Sequence, residues 1–155
     1  MKQLILIFSL LFSMECYSDD VVNNIIKMNN KLTVEEANQI YEIEKKYAEQ
    51  YDIPVEVGLS ITAKESTFQT NARSSSSYGL KQINYSVWNE ELNLSKKCLM
   101  SVECNIKHGY IILRYYVDLY EGDLHAALMA YRGSGYKSTN KKYAKDIFRL
   151  SDLFS

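Results

Sequence analysis

The chain is short of the residues on which several kinds of chemistry depend. Its 155 residues include one proline, two histidines and three cysteines, and the formal net charge is −1. The lysine pairs Lys45-Lys46, Lys96-Lys97 and Lys141-Lys142 stand apart from one another. No concentrated positive patch is available to neutralise phosphates, so nucleic acid is excluded as the main partner. His108 and His125 fall on separate predicted helices, and the cysteines lack the spacing of a zinc or redox motif, so no metal site and no cofactor is expected. The one long apolar run, Leu4 to Phe12, is well short of the roughly 20 residues that span a bilayer. There is no internal repeat and no series of alternating strands. What remains is the composition of an ordinary globular protein, at a length that suits one domain and a monomer.

The N-terminus reads as an address. Lys2 gives a positive start, LILIFSLLF an apolar stretch, and SMECYSDD a polar end, which is the plan of a secretory signal peptide over 1–18. Cleavage after Ser18 places the small side chains of Cys16 and Ser18 at the −3 and −1 positions. Cys16 lacks the small residues that precede a lipid-modified cysteine. The alternative is an uncleaved, membrane-associated N-terminus. Residues 19–32 are expected to form an N-terminal extension and 33–155 the functional domain, exported to the periplasm. Without the leader, two cysteines are left in CLMSVEC. An even pair in an exported protein reads as a Cys98–Cys104 disulfide, worth about 2–3 kcal/mol through the unfolded chain. The alternative is two free thiols.

The body of the chain is helical. Ala37, Ile40, Tyr41, Tyr47, Ala48 and Tyr51 recur at helical spacing after Thr33, which forms a capping-box pattern with Glu36. Pro54 sits where a second helix starts, its preferred place, and that helix should run to Ser66. Asn71, four serines and Gly79 then mark a loop, with short helical turns around Ser86 to Glu91. A long helix from about Ser101 to Tyr120 is apolar around most of its circumference and belongs at the centre of a domain, with Gly109 permitting a close helix crossing. Asp123 caps a helix carrying Leu124, Ala127, Leu128 and Tyr131. A last helix, from about Ser138 to Leu150, should turn Tyr143, Ala144, Ile147 and Phe148 inward. The fold class is mainly α.

Glu65 stands at the C-terminal end of the second helix, where the helix dipole disfavours its charge. Burial in a cleft would raise its pKa further, and a raised carboxyl can donate a proton to a leaving oxygen. On its own a helix-end glutamate is more often a solvated surface residue. Its surroundings alter that balance. Glu65-Ser66, Gly79-Leu80-Lys81-Gln82 and Ala130-Tyr131-Arg132 before a glycine turn occur in order on the predicted elements. Together they resemble the catalytic domain of the soluble lytic transglycosylases, a family related in fold to goose-type lysozymes, over roughly Tyr47 to Tyr143.

The resemblance implies a compact lysozyme-like helical domain with a glycan-binding groove, acting on peptidoglycan strands. In the family one glutamate, here Glu65, protonates the oxygen between N-acetylmuramic acid and N-acetylglucosamine. It then takes the C6 hydroxyl proton, leaving a 1,6-anhydro end without consuming water. Ser66, Tyr78, Gly79, Leu80, Gln82 and Tyr131 are then candidate substrate-contacting residues. Gln82 offers donor and acceptor to the sugar, and Gly79 lets backbone approach it. Tyr78 is a candidate stacking platform, and Tyr131 either aims its hydroxyl at Glu65 or is a core tyrosine. The serine run Ser74 to Ser77 reads as a wall of the cleft. Two positions depart from the family pattern: Lys81 stands for methionine and Arg132 for asparagine. Both are expected near the groove, where long cations could pair with peptide-stem carboxylates. By analogy with small family members, the enzyme would open local gaps for a secretion or conjugation machine. The alternatives are a lysozyme-like hydrolase, which needs a second carboxylate (Asp52, Glu56, Glu90 or Glu91), and a glycan-binding protein without turnover.

Overall fold

The computed structural model describes residues 19–133 and 138–155. The leader expected over 1–18 lies outside the described residues. These form eight helices and one two-stranded antiparallel sheet.

Helix α1 covers 19–28. It buries Val21, Val22 and Ile25 in the main core, and the Asn24 amide donates to the Leu153 carbonyl at 2.7 Å. The stretch expected as an extension is thus integral to the domain. Its apolar stripe is only two turns long and is overshadowed in sequence by the stronger apolar run Leu4 to Phe12 before it. Helix α2, Val34–Tyr51, starts at the expected capping box. The Thr33 hydroxyl accepts from the Glu36 amide at 3.1 Å, and the Glu36 carboxylate accepts from the Thr33 amide at 2.8 Å. Helix α3, Val55–Ser66, follows Pro54 and ends in two consecutive residues with left-handed backbone, Thr67 (φ 51°) and Phe68 (φ 56°). Neither is a glycine, so the turn needs support. Phe68 is fully buried with its ring edge-on to Phe154, and its carbonyl accepts from the Asn29 amide at 3.0 Å.

The loop beyond carries strand β1, Ser77–Tyr78, paired with β2, Ile83–Asn84. Two residues per strand are too few to leave an alternating pattern, which is why the hairpin escaped the sequence reading. Helix α4 spans Tyr85–Trp88 and α5 spans Lys96–Leu99. The Cys98–Cys104 disulfide forms as expected, joining α5 to the start of α6, Val102–Leu119. Helix α6 packs against α2 and α7 (Leu124–Tyr131), while α3 packs against α8 (Ser138–Ser151). Tyr143, Ala144 and Ile147 of α8 are buried as expected, but Phe148 is 37% exposed and stacks on His125 instead. A smaller core of Ile83, Leu94, Leu99 and Ile112 lies beneath the hairpin. No helix of the described residues is long and apolar enough to cross a membrane.

Candidate active site

Where α3 ends, a cleft of about 460 Å³ opens between it, the serine-rich loop, α4, α6 and the end of α7. Glu65 looks into it from α3. Ser74, Ser76 and Ser77 line one side, Gln82 and Asn84 follow, and Trp88, Tyr116, Tyr131 and Arg132 contribute further walls. The serine run is therefore a cleft wall and not a spacer. Short hydroxyl side chains keep the opening wide, and the Ser74 hydroxyl accepts from the Ser77 amide at 3.1 Å, which keeps the loop compact.

Glu65 is the only carboxylate among the described residues lining this cleft. Burial is the largest influence on it and holds its carboxyl above the usual 4.5. The Tyr143 hydroxyl, the Arg132 guanidinium and the Lys64 ammonium pull weakly the other way. Lys64 is occupied elsewhere: its ammonium donates to Asp146 of α8 at 2.7 Å. That bond and one from Lys142 hold the Asp146 carboxyl down at about 2. The Tyr143 hydroxyl is buried on the Glu65 side of α8, and its phenol is pushed well up by burial and by Glu65. Arg132, exposed at the cleft edge, rests its guanidinium 5.9 Å from the Tyr143 ring centre. An acid flanked by a phenol and a guanidinium, with its charged form disfavoured, is equipped to hold a proton and release it to a bound oxygen.

The candidate residues divide. Glu65, Gln82 and Tyr131 come together at the cleft. Ser66, Tyr78, Gly79 and Leu80 are not among the residues lining it. Ser66 is buried and its hydroxyl donates to the Thr62 carbonyl at 3.0 Å, one turn back. Leu80 is fully buried in the main core. Tyr78 packs edge-on to Tyr85, with the Lys96 ammonium over both rings. Gly79 adopts φ 75°, and a side chain there would strike Asn105 and the Leu99 carbonyl; its freedom serves the turn. The Tyr131 hydroxyl reaches the Lys81 carbonyl, at 3.4 Å, and Glu65 helps to push its phenol well above the ordinary range, behind the larger effect of burial.

Trp88 and the approach of the Tyr143 phenol to Glu65 were missed at sequence level. Trp88 meets Tyr115 and Tyr116 edge-on at 5.8 and 6.0 Å, so the cleft's far end is an aromatic corner. Being the only tryptophan, and set in a short polar-flanked turn, Trp88 was the available signal.

The expectation that Lys81 faces the groove is overturned. Its side chain is 2% exposed and runs inward to Glu44, which is 0% exposed. The ammonium donates to both carboxylate oxygens, at 2.8 and 2.9 Å, and to the Gly58 carbonyl at 2.6 Å. The Thr62 hydroxyl donates to Glu44 at 2.6 Å, and the Tyr110 ring lies 4.8 Å from the ammonium. Gly109, expected to permit a helix crossing, instead clears the path of this side chain. A Cβ there would come within 2.6 Å of the Lys81 Cγ. Only the backbone side of Lys81 faces the cleft.

The architecture is that of a mainly helical, lysozyme-like domain with one carboxylate among the described residues at its cleft. The model of the family described as the transglycosylase SLT domain matches residues 42–149, well over half of the chain, and the protein belongs to that family. Comparison with curated proteins and with solved structures gave no significant match. The family's activity is lytic transglycosylation of peptidoglycan, which lies outside the cytoplasm.

Proposed function

We propose that this protein is a peptidoglycan lytic transglycosylase that cleaves the β-1,4 bond between N-acetylmuramic acid and N-acetylglucosamine, with Glu65 as its general acid and base. The observation that carries this reading is the desolvated carboxylate of Glu65, alone in the cleft among the described residues. Glycosidases that use water as the nucleophile generally place two carboxylates across the bond. None of Asp52, Glu56, Glu90 and Glu91 lines this cleft. A single acid suffices if the substrate supplies its own nucleophile. Glu65 would give its proton to the bridging oxygen as the C1–O bond breaks. It would then take the proton of the C6 hydroxyl as that oxygen bonds to C1, which returns the acid to its starting state. Gln82 can bind the acetamido group or a hydroxyl from the facing wall, and Trp88 and Tyr116 offer ring faces to sugar.

Mass spectrometry of fragments released from purified peptidoglycan tests the reading. Anhydro ends, one water lighter than reducing ends, are expected. Reducing ends would make the protein a hydrolase, and an absence of fragments would leave a binding protein. Periplasmic action after removal of 1–18 accompanies the proposal. So does local wall opening around a secretion or conjugation machine, which fails if envelope cross-linking never captures a component of one.

A further inference from the structure

The buried Glu44–Lys81 pair joins parts of the molecule that face each other at the cleft. Glu44 belongs to α2, while Thr62 and the Gly58 carbonyl belong to α3, the helix that ends with Glu65. Lys81 belongs to the strip that ends with Gln82. Its ammonium therefore bonds the strip to the acid's own helix. The space for this is built in: a Cβ at Gly58 would collide with the Tyr110 hydroxyl and approach Glu44 to 2.8 Å, and one at Gly109 would collide with Lys81.

The strip is held from a second side by Asn105 of α6. Its carbonyl oxygen accepts from the Lys81 amide at 2.7 Å, and its NH₂ donates to the Tyr78 and Leu99 carbonyls, each at 2.8 Å. Between these anchors Gln82 adopts a left-handed backbone (φ 46°), which a non-glycine residue keeps only where its surroundings hold it. The Lys81 carbonyl, on the cleft side, receives the Tyr131 hydroxyl.

We propose that Glu44 and Lys81 are positioning residues, their ion pair a cross-tie that sets the strip 79–82 against α3 and so sets Gln82 and Tyr131 relative to Glu65. Buried ion pairs add little net stability over apolar packing. Stability therefore does not account for two glycines, a threonine and a tyrosine arranged around this one. Directional bonds to three acceptors fix a geometry that a flexible methionine at position 81 would leave loose. The catalytic consequence rests on the function proposed above, so the test carries one readout of turnover and one of local structure.

Lys81→Met alone strands a buried carboxylate, so the decisive variant is the double Glu44→Gln/Lys81→Met. It removes both charges, preserves volume, and leaves an amide oxygen for Thr62. It should fold, with kcat on peptidoglycan lowered about tenfold or more and KM within about twofold, because misplacement of facing groups acts on the chemical step. Hydrogen exchange of the backbone amides at 81 and 82 should rise by about tenfold while α6 keeps its protection. Wild-type kcat, or wild-type exchange at 81 and 82, in the double variant overturns the cross-tie. If the unaltered protein releases no glycan fragments, the proposed function fails instead. Exchange at 81 and 82 then decides alone: faster exchange upholds the cross-tie and unchanged exchange overturns it.

Discussion

Replacing Glu65 by glutamine should abolish turnover and at the same time stabilise the protein near neutrality. The swap keeps shape and hydrogen-bonding capacity but removes both the transferable proton and the charge. Burial raises the folded carboxyl above 4.5, the value of the free side chain. The sign follows from proton counting. Well below that value, the native and unfolded chains both hold the proton, and the two proteins should be equally stable. As pH rises through the window between the ordinary and the raised value, the native state holds a proton that the unfolded chain has lost. Wild-type stability then falls, by up to about 1.4 kcal/mol for each pH unit crossed, and levels off above the raised value. Glutamine has no such dependence. At roughly 3–4 °C per kcal/mol for a domain of this size, thermal melts across a pH series should show the variant's advantage opening in mild acid and holding at neutrality. Loss of a general acid should lower the rate about 10²–10⁴-fold, read as kcat for release of soluble fragments. The wild-type rate should itself decline as pH rises through the raised value, since the acid must begin protonated. A variant within a few-fold of wild-type activity would refute the catalytic role. A melting difference that does not change with pH would refute the desolvation.

Three further outcomes can be measured separately. Removing the disulfide as Cys98→Ser/Cys104→Ser frees a short loop and should cost about 2 kcal/mol in urea unfolding, with an unchanged cleavage product. Gly58→Ala drives a methyl into the Tyr110 hydroxyl and the Glu44–Lys81 pair, and should destabilise by about 1–3 kcal/mol; a neutral result in thermal melts would mean that the pair has slack. Trp88→Ala removes one face of the aromatic corner and should raise KM by roughly two- to tenfold with kcat nearly kept, as measured on soluble glycan fragments.

Much of the helical framework was legible because its signals are local. The Thr33–Glu36 box, Pro54, and the apolar spacing through α2 and α6 each act within a few residues of one another, and each element formed within a residue or two of its expected bounds. Glu65 and the serine run were legible as a cleft edge for the same reason: a helix stop and a loop lie next to each other in the chain. The inward phenol of Tyr143 was not. It reaches Glu65 through the packing of α8 on α3, and an apolar stripe on α8 gives no sign of which element lies opposite.

Lys81 shows how a local motif can mislead and still hold the answer. Gln82 faces the cleft, and the resemblance put position 81 beside it, so a lysine there read as a groove cation. In the turn, the side chain at 81 points the other way, into the core, which is the direction an apolar residue would take. A lysine on a core-facing position needs an anion. Glu44, meanwhile, sits on the buried stripe of α2 with Ile40, Tyr47 and Ala48, where a carboxylate needs a cation. Each residue alone looks like a solvated charge, 37 positions from the other. Taken together, one acid and one base on two apolar faces answer each other. Such a matched exception to the hydrophobic pattern is itself a contact that sequence can reveal, and here it lies where the acid's helix meets the strip that faces it.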